Sequence, residues 1–208
     1  MKTAIDPKTW KRKGHFDFFN QFDDPSFEIT SNVDVTKVLQ KSKDLKCSFF
    51  LLYLHASMKA INSIEEFKIR IEGDQLFLYD TIHAGPTIAR DDGTFGFSHL
   101  PYFKDFDAFH KNAQQIMKEV KKANDLNPSF NQSDVVHYTC IPWISFTGVK
   151  HPIFKSQDTD SIPKISFGKF FDQNGKKLMP VSVQANHALV DGFHIGRYLE
   201  TFQLNLDS

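Results

Sequence analysis

Apolar and polar positions change period several times along the chain, and each change predicts an element. Phe27-Glu28-Ile29-Thr30 alternates apolar with polar, the period of a half-buried strand. Asp34 or Thr36 then suits the cap of a short helix running through Ser42. From Ser48 to about Ile64 the chain is apolar almost all round, which predicts a helix buried on most of its surface. Phe67 to Tyr79 holds two alternating runs about Glu72-Gly73-Asp74, a hairpin signal. Weaker strands are expected near Thr87–Ala89 and Thr94–Phe97. Tyr102 to Asn124 returns to helical spacing, with Phe106, Phe109, Ile116, Met117 and Val120 turned inward. Three further strands are expected over Val136–Thr147, Lys164–Phe171 and Leu178–Ala185, the last two joined by a turn at Asn174-Gly175. A helix over about Gly192–Leu204 follows. Strands outnumber helices, hairpins are frequent and few βαβ units appear. The expected class is α+β, a mixed, largely antiparallel sheet with helices packed against it. No repeat or linker interrupts the 208 residues, so residues 1–208 are expected to form a single domain.

Composition narrows the function classes. Lys+Arg and Asp+Glu both number 25, and a chain of zero formal charge without a basic stripe is not expected to bind nucleic acid. No apolar run approaches the roughly 20 residues of a membrane helix. Met1 to Pro7 lacks the apolar stretch of a signal peptide. A cytoplasmic protein with no membrane partner is expected. Cys47 and Cys140 are distant in sequence and in apolar company, which predicts two buried thiols rather than a disulfide or a metal clip. Phe is abundant, at 22 residues, and hints at an apolar pocket beside the core.

The stretch most suggestive of chemistry is Gln184-Ala185-Asn186-His187-Ala188-Leu189-Val190-Asp191-Gly192-Phe193-His194, at the junction of a predicted strand and helix. A histidine there escapes the ladder and can point into a cleft. Its apolar neighbours favour the neutral imidazole that a general base requires. Asp191-Gly192 suits a helix start, where backbone donors hold a carboxylate. Two other readings stand beside this one. His187 can be a hydrogen-bonded core histidine, or His187, Asp191 and His194 can hold a metal, the last two being one helical turn apart.

The chain as a whole resembles the chloramphenicol acetyltransferases, a trimeric family related in fold to the catalytic domains of dihydrolipoyl acyltransferases. Trp10-Lys11-Arg12-Lys13-Gly14-His15-Phe16 is similar to the family's N-terminal motif. Glu66-Phe67-Lys68, Asp80-Thr81-Ile82-His83, Pro142-Trp143-Ile144-Ser145-Phe146, Lys169-Phe170-Phe171, Leu178-Met179-Pro180 and Gln184 through Gly196 follow in family order. The resemblance implies a two-layer sandwich, a homotrimer with each site between neighbouring subunits, and acetyl transfer from acetyl-coenzyme A to a small alcohol. It also implies a role in antibiotic resistance if chloramphenicol is that alcohol. Acetyl-coenzyme A is the co-substrate, and no bound cofactor or metal is implied.

His187 takes the place of the family's catalytic base, which removes the acceptor's hydroxyl proton in a ternary complex without an acyl-enzyme. Asp191 takes the place of a carboxylate that pairs with an N-terminal arginine, here Arg12, through a bidentate contact. Ser166 stands where the family has a threonine that holds a water near the reaction. Phe18 and Phe19 match the aromatic wall of the acceptor pocket, and Phe170 is expected to contact coenzyme A. Asn186 replaces the first histidine of a family pair. Asp23 and Pro25 differ from members that bind chloramphenicol well. Gly148 is the main departure, because the family carries there a serine whose hydroxyl stabilises the oxyanion. On a strand continuing to Thr147, Ser145 and Thr147 would face away from position 148 and could not replace it. Weak catalysis, or binding of a small hydrophobic molecule without turnover, is the alternative this departure opens, as is a different alcohol.

Overall fold

The protein is described by a computed structural model covering residues 1–126, 132–152 and 161–208. Along the chain run β1 (Lys2–Ile5), α1 (Lys13–Phe19), β2 (Ser26–Asp34), α2 (Thr36–Asp44), α3 (Phe49–Asn62), β3 (Ile69–Glu72), β4 (Gln75–Tyr79), β5 (His83–Ala89) and β6 (Phe95–Phe97). There follow α4 (Phe106–Lys122), β7 (Val135–Ile141), β8 (Lys164–Gly168), β9 (Phe171–Gln173), β10 (Lys176–Asn186) and α5 (Gly192–Leu206). The main sheet has the order β2-β10-β8-β7-β5-β6, with β9 also pairing β10. Its β10–β2, β10–β8, β10–β9 and β5–β6 pairs are antiparallel, while β5–β7 and β7–β8 are parallel. A smaller antiparallel sheet runs β1-β4-β3. This is the mixed, largely antiparallel α+β architecture that the periodicity implied.

Strict alternation gives the main sheet two unlike faces. On β10, Met179, Val181, Val183 and Ala185 are buried in the core, joined by Val33 of β2, Ile165 and Phe167 of β8, and Val136 and Tyr138 of β7. Helix α3 supplies Leu51, Leu54, Met58 and Ile61 to that core, and α5 supplies Ile195, Tyr198 and Phe202. The opposite face is polar. The register sets Glu28 across from Gln184, and Thr30 across from Ser182, which in turn faces Ser166. The site is built on both faces.

Several boundaries differ from expectation. Neither β1 nor α1 was anticipated. Helix α1 buries no residue and has no side-chain cap, so no apolar stripe marks it. Helix α4 starts at Phe106 instead of Tyr102 because Asp105 caps it, accepting from the Ala108 N–H at 2.9 Å. The Lys164–Phe171 run divides into β8 and β9. The strand expected to reach Thr147 stops at Ile141, before Pro142, which has no N–H to give a ladder. Both cysteines are free but only part-buried. Arg70 is fully buried in the core and donates to the carbonyls of Ser133 (2.7 Å), Phe67 (2.9 Å), Ile69 (2.8 Å) and Val135 (2.6 Å), locking β3 to the start of β7.

Candidate active site

The turn after β10 presents His187. Asn186 makes that turn: its Oδ1 accepts from the Ala188 N–H (2.9 Å), and its carbonyl accepts from Leu189 (3.1 Å) and Val190 (2.9 Å). Asparagine at a turn serves the backbone through its own side chain, which gives position 186 a structural task. The His187 N–H donates to the Pro25 carbonyl at 2.8 Å. Its ring is stacked against Phe19, with centroids 3.9 Å apart and planes 5° apart, and against Phe27 at 4.3 Å. The ring Nδ1 is buried and makes no hydrogen bond among the described residues, while the residue as a whole is part-exposed. A hydrogen-bonded core histidine would be neither.

Asp191 begins α5. Its Oδ1 accepts from the Phe193 N–H (3.0 Å), and its own N–H donates to His194 Nδ1 (3.1 Å), a capping box with histidine at the third helical position. Arg12 Nη1 donates to Asp191 Oδ2 at 2.9 Å, across 179 positions of sequence. The expected partners therefore meet, but through one contact and not two. Arg12 Nε and Nη2 are buried and unbonded among the described residues, so the guanidinium is oriented along Asp191 and not aligned as a fork. Burial presses the Asp191 carboxyl upward. The Arg12 hydrogen bond, the neighbouring His194 and Arg12 charges and the His194 N–H outweigh it and hold the group below the usual carboxylate range. His194 is buried, and burial lowers its pKa despite Glu66 and Asp191. Its Nε2 lies 3.3 Å from Glu66 Oε1, which also approaches Lys11 Nζ at 3.9 Å. The N-terminal segment is thereby tied to the helix that follows His187. With Nδ1 committed to a backbone N–H and Nε2 against Glu66, His194 has no nitrogen free for a metal shared with His187.

A second group stands on the polar face. Beyond Ile141, residues 148–151 cross three adjacent strands. The Val149 N–H donates to Glu28 Oε1 on β2 (2.9 Å) and the His151 N–H to Gln184 Oε1 on β10 (2.9 Å). His151 Nε2 lies 2.7 Å from Ser166 Oγ on β8. Gly148 is not in a strand, so the opposed facing expected of Ser145 and Thr147 does not apply. Ser145 is committed elsewhere, its hydroxyl donating to the Lys169 carbonyl at 2.6 Å. The φ of Gly148 is not in the left-handed region, and a Cβ there would meet only Glu28 Oε1, at 3.8 Å. Sequence reasoning passed over His151, whose partners lie on strands distant in sequence. Only the register brings them together.

One chain does not unite these two groups. Ser166 faces Ser182, five positions before His187, or about 16 Å of strand. The two also lie on opposite sides of the sheet, since Phe27, on which His187 stacks, belongs to the core face. Phe18 is 57% exposed and packs edge-on to Phe19 and Phe22. Phe170 lies between Phe49 and the Lys177 ammonium, on the edge of the core.

Among the described residues, His83, His99 and Asp134 approach one another closely enough to suggest a metal site. The Tyr102 N–H donates to His83 Nδ1 at 3.0 Å, which leaves the proton of a neutral ring on Nε2, the nitrogen that faces Asp134. A protonated nitrogen has no lone pair for a metal. No helix among the described residues is long and apolar enough to cross a membrane.

Comparison with known proteins places these features in a family. The family model for chloramphenicol acetyltransferase matches residues 1–203. Chloramphenicol acetyltransferase 3 of Escherichia coli is 27% identical over 203 residues, covering 97% of this chain and 95% of its own. A chloramphenicol acetyltransferase of Clostridium butyricum is 29% identical over 208 residues, with 96% and 92% covered. A solved chloramphenicol acetyltransferase superposes with a TM-score of 0.91 at 31% identity, over 99% of this chain and all of the other. A dihydrolipoamide acetyltransferase of Azotobacter vinelandii shares the fold at a TM-score of 0.69 and 15% identity, over 94% and 86%. The motifs that run through the chain, the sheet that carries them and these matches agree: the chain belongs to the chloramphenicol acetyltransferase family of acyltransferases.

Proposed function

We propose that the protein is a cytoplasmic enzyme that transfers the acetyl group of acetyl-coenzyme A to the hydroxyl of a small alcohol, chloramphenicol being the first acceptor to test. The observation that carries this reading is the presentation of His187 by the Asn186 turn, clamped between Phe19 and Phe27 with Nδ1 buried. That arrangement leaves Nε2 to meet the acceptor. The hydroxyl proton passes to Nε2 as the oxygen attacks the thioester carbonyl. The tetrahedral intermediate then expels the coenzyme A thiolate, which takes the proton back. Much of the rate comes from holding both substrates in place. Arg12 and Asp191 fix the segment around the base. Phe18 and Phe19 wall the acceptor side, and Phe170 contacts coenzyme A.

The functional unit is a homotrimer in which His187 of one subunit faces Ser166 and residue 148 of the next. The separation of these groups on opposite faces of one chain supports this. So do Ser182 Oγ and Gln184 Nε2, buried on the polar face without a hydrogen bond among the described residues, and the exposed Phe18, Trp143, Ile144 and Phe193. Gly148 favours a second reading, a slow or non-catalytic member that binds a small hydrophobic molecule. Thiol release from acetyl-coenzyme A, followed with chloramphenicol and a panel of alcohols, separates the two. The acetyl-transfer reading expects acceptor-dependent release that His187→Ala abolishes with coenzyme A binding retained. Release by His187→Ala at the wild-type rate overturns it.

A further inference from the structure

We propose that His151 is a positioning residue for this reaction, orienting the Ser166 hydroxyl so that it donates to the oxyanion in a chain whose residue 148 brings no hydroxyl. The inference rests on the acetyl-transfer reading and adds to it a donor and the group that aims it. Ser166 is completely buried in the chain, so its hydroxyl meets an oxyanion only where bound substrate displaces what covers it, and until then it takes its direction from its partners. The partner on the page is the His151 imidazole, 2.7 Å away. Ser182, directly across from Ser166 on the same face, has a buried hydroxyl with no partner among the described residues, so the placement of an imidazole on Ser166 is selective.

The imidazole is itself fixed. The His151 N–H is anchored on Gln184 and the Val149 N–H on Glu28, so the backbone spans β2 and β10 and delivers the ring to β8. Those anchors also hold Gly148 against the same face, beside Glu28. Residues 148–151 thus cross three strands, with Gly148 beside Glu28 of β2 at one end and the His151 ring on Ser166 of β8 at the other. A neutral imidazole that donates Nε2–H to Ser166 Oγ uses up an acceptor site of the hydroxyl and leaves its O–H proton free to point at developing negative charge. An imidazole accepting at Nε2 would consume that proton instead. Donation by Ser166 to the oxyanion therefore requires the Nε2–H form, the tautomer that the 2.7 Å contact leaves open. Burial, with Lys164 nearby, keeps His151 on the neutral side of its ordinary titration, in spite of Glu28.

The test uses the full-length protein, acetyl-coenzyme A and the best acceptor found. Histidine ring nitrogen shifts of wild type should show Nε2 of His151 protonated, and Ser166→Ala should move the His151 signals while leaving those of His187 in place. His151→Leu should lower kcat roughly 10–10²-fold with KM nearly unchanged, part of the 10²–10³ that a whole oxyanion donor supplies. His151→Gln, which keeps an N–H donor, should recover most of that loss and guards against a folding defect in the Leu variant. Ser166→Ala with His151→Leu should be no slower than Ser166→Ala alone, because one acts through the other. An unprotonated Nε2, an unchanged kcat in His151→Leu, or additive losses in the double variant would each overturn the assignment. A wild-type protein that transfers no acetyl group, or an active His187→Ala, counts against the acetyl-transfer reading, and the ring nitrogen shifts then still decide the orientation of Ser166.

Discussion

Removing either partner of the Arg12–Asp191 pair should destabilise the protein, and by unequal amounts. The Asp191 side chain is 28% exposed and keeps the Phe193 N–H when Arg12 is truncated, so its charge is not stranded. Arg12→Ala should therefore cost about 1–3 kcal/mol, the range of one charge-assisted hydrogen bond. The Arg12 side chain is 9% exposed, with Nε and Nη2 already unbonded. Asp191→Ala leaves that guanidinium buried without a carboxylate, a loss of about 3–5 kcal/mol. It also removes the cap of α5, about 1 kcal/mol more. Asp191→Asn, which keeps a capping oxygen, should fall between the two. Urea unfolding at fixed protein concentration reads these differences, and concentration must be held because association shifts apparent stability. Calorimetry should show them as roughly 2–4 °C of Tm per kcal/mol at this chain length. The pH dependence supplies a second check. A carboxyl whose folded pKa is lowered contributes stability above its unfolded value, about 3.9, and loses it as pH falls through the folded value. The gap between wild type and Arg12→Ala should consequently close in acid. Arg12→Ala costing as much as Asp191→Ala, or a gap independent of pH down to unfolding, would refute the reasoning.

Gly148→Ser should be accommodated, since φ is ordinary and the new Cβ meets only Glu28 Oε1 at van der Waals distance. Turnover of chloramphenicol should rise by up to roughly 10²-fold, below the full value of an oxyanion donor because Glu28 competes for the new hydroxyl; steady-state kinetics showing no rise even in Glu28→Gln, Gly148→Ser would count against a missing donor at 148. Arg70→Met should cost at least about 3 kcal/mol by denaturant unfolding, because carbonyls of Ser133, Phe67, Ile69 and Val135 lose their buried donor at once. His187→Ala and Ser166→Ala subunits, unfolded together and refolded as a mixture, should regain about a quarter of the wild-type sites if each site takes one group from each of two copies. Activity no greater than the sum of the separate variants would place both groups in one chain, as would sedimentation of wild type as a monomer.

The elements that were legible in the sequence are those whose burial follows from their own periodicity. β10 alternates from Met179 to Ala185 because one face meets the helices, and α3 is apolar all round because it is packed on most sides. β1 and α1 leave no such trace. The four residues of β1 are held by backbone pairing with β4, a property any sequence shares, and α1 depends on tertiary contacts made by Trp10, Phe16 and Phe19. The false extension of β7 has the opposite cause. The alternation does continue past Pro142, but the ladder cannot, and Trp143 and Ile144 end 74% and 59% exposed. A period-two pattern in the sequence thus does not guarantee a strand or an alternating environment where the ladder has ended.

The site divides along the same line. The proposed base and the nearby carboxylate could be singled out because they are compressed into His187 to Asp191, where a strand end and a helix cap adjoin. Arg12 was reachable through family resemblance alone, since no local rule connects positions 179 residues apart. The proposed sharing of the site between copies rests on parity. Ser166 pairs with Ser182, so every odd residue of β10 points away from it, and His187 continues the odd series on the side of Phe27. A register slip of one residue between β8 and β10 would bring Ser166 to the face of His187, but it would also turn Ile165 and Phe167 out of the core and Lys164 into it. The hydrophobic core therefore enforces the register that keeps the two halves of the chemistry apart in one chain. In the proposed homotrimer a second copy completes the site, and the mixed-subunit experiment measures that dependence directly.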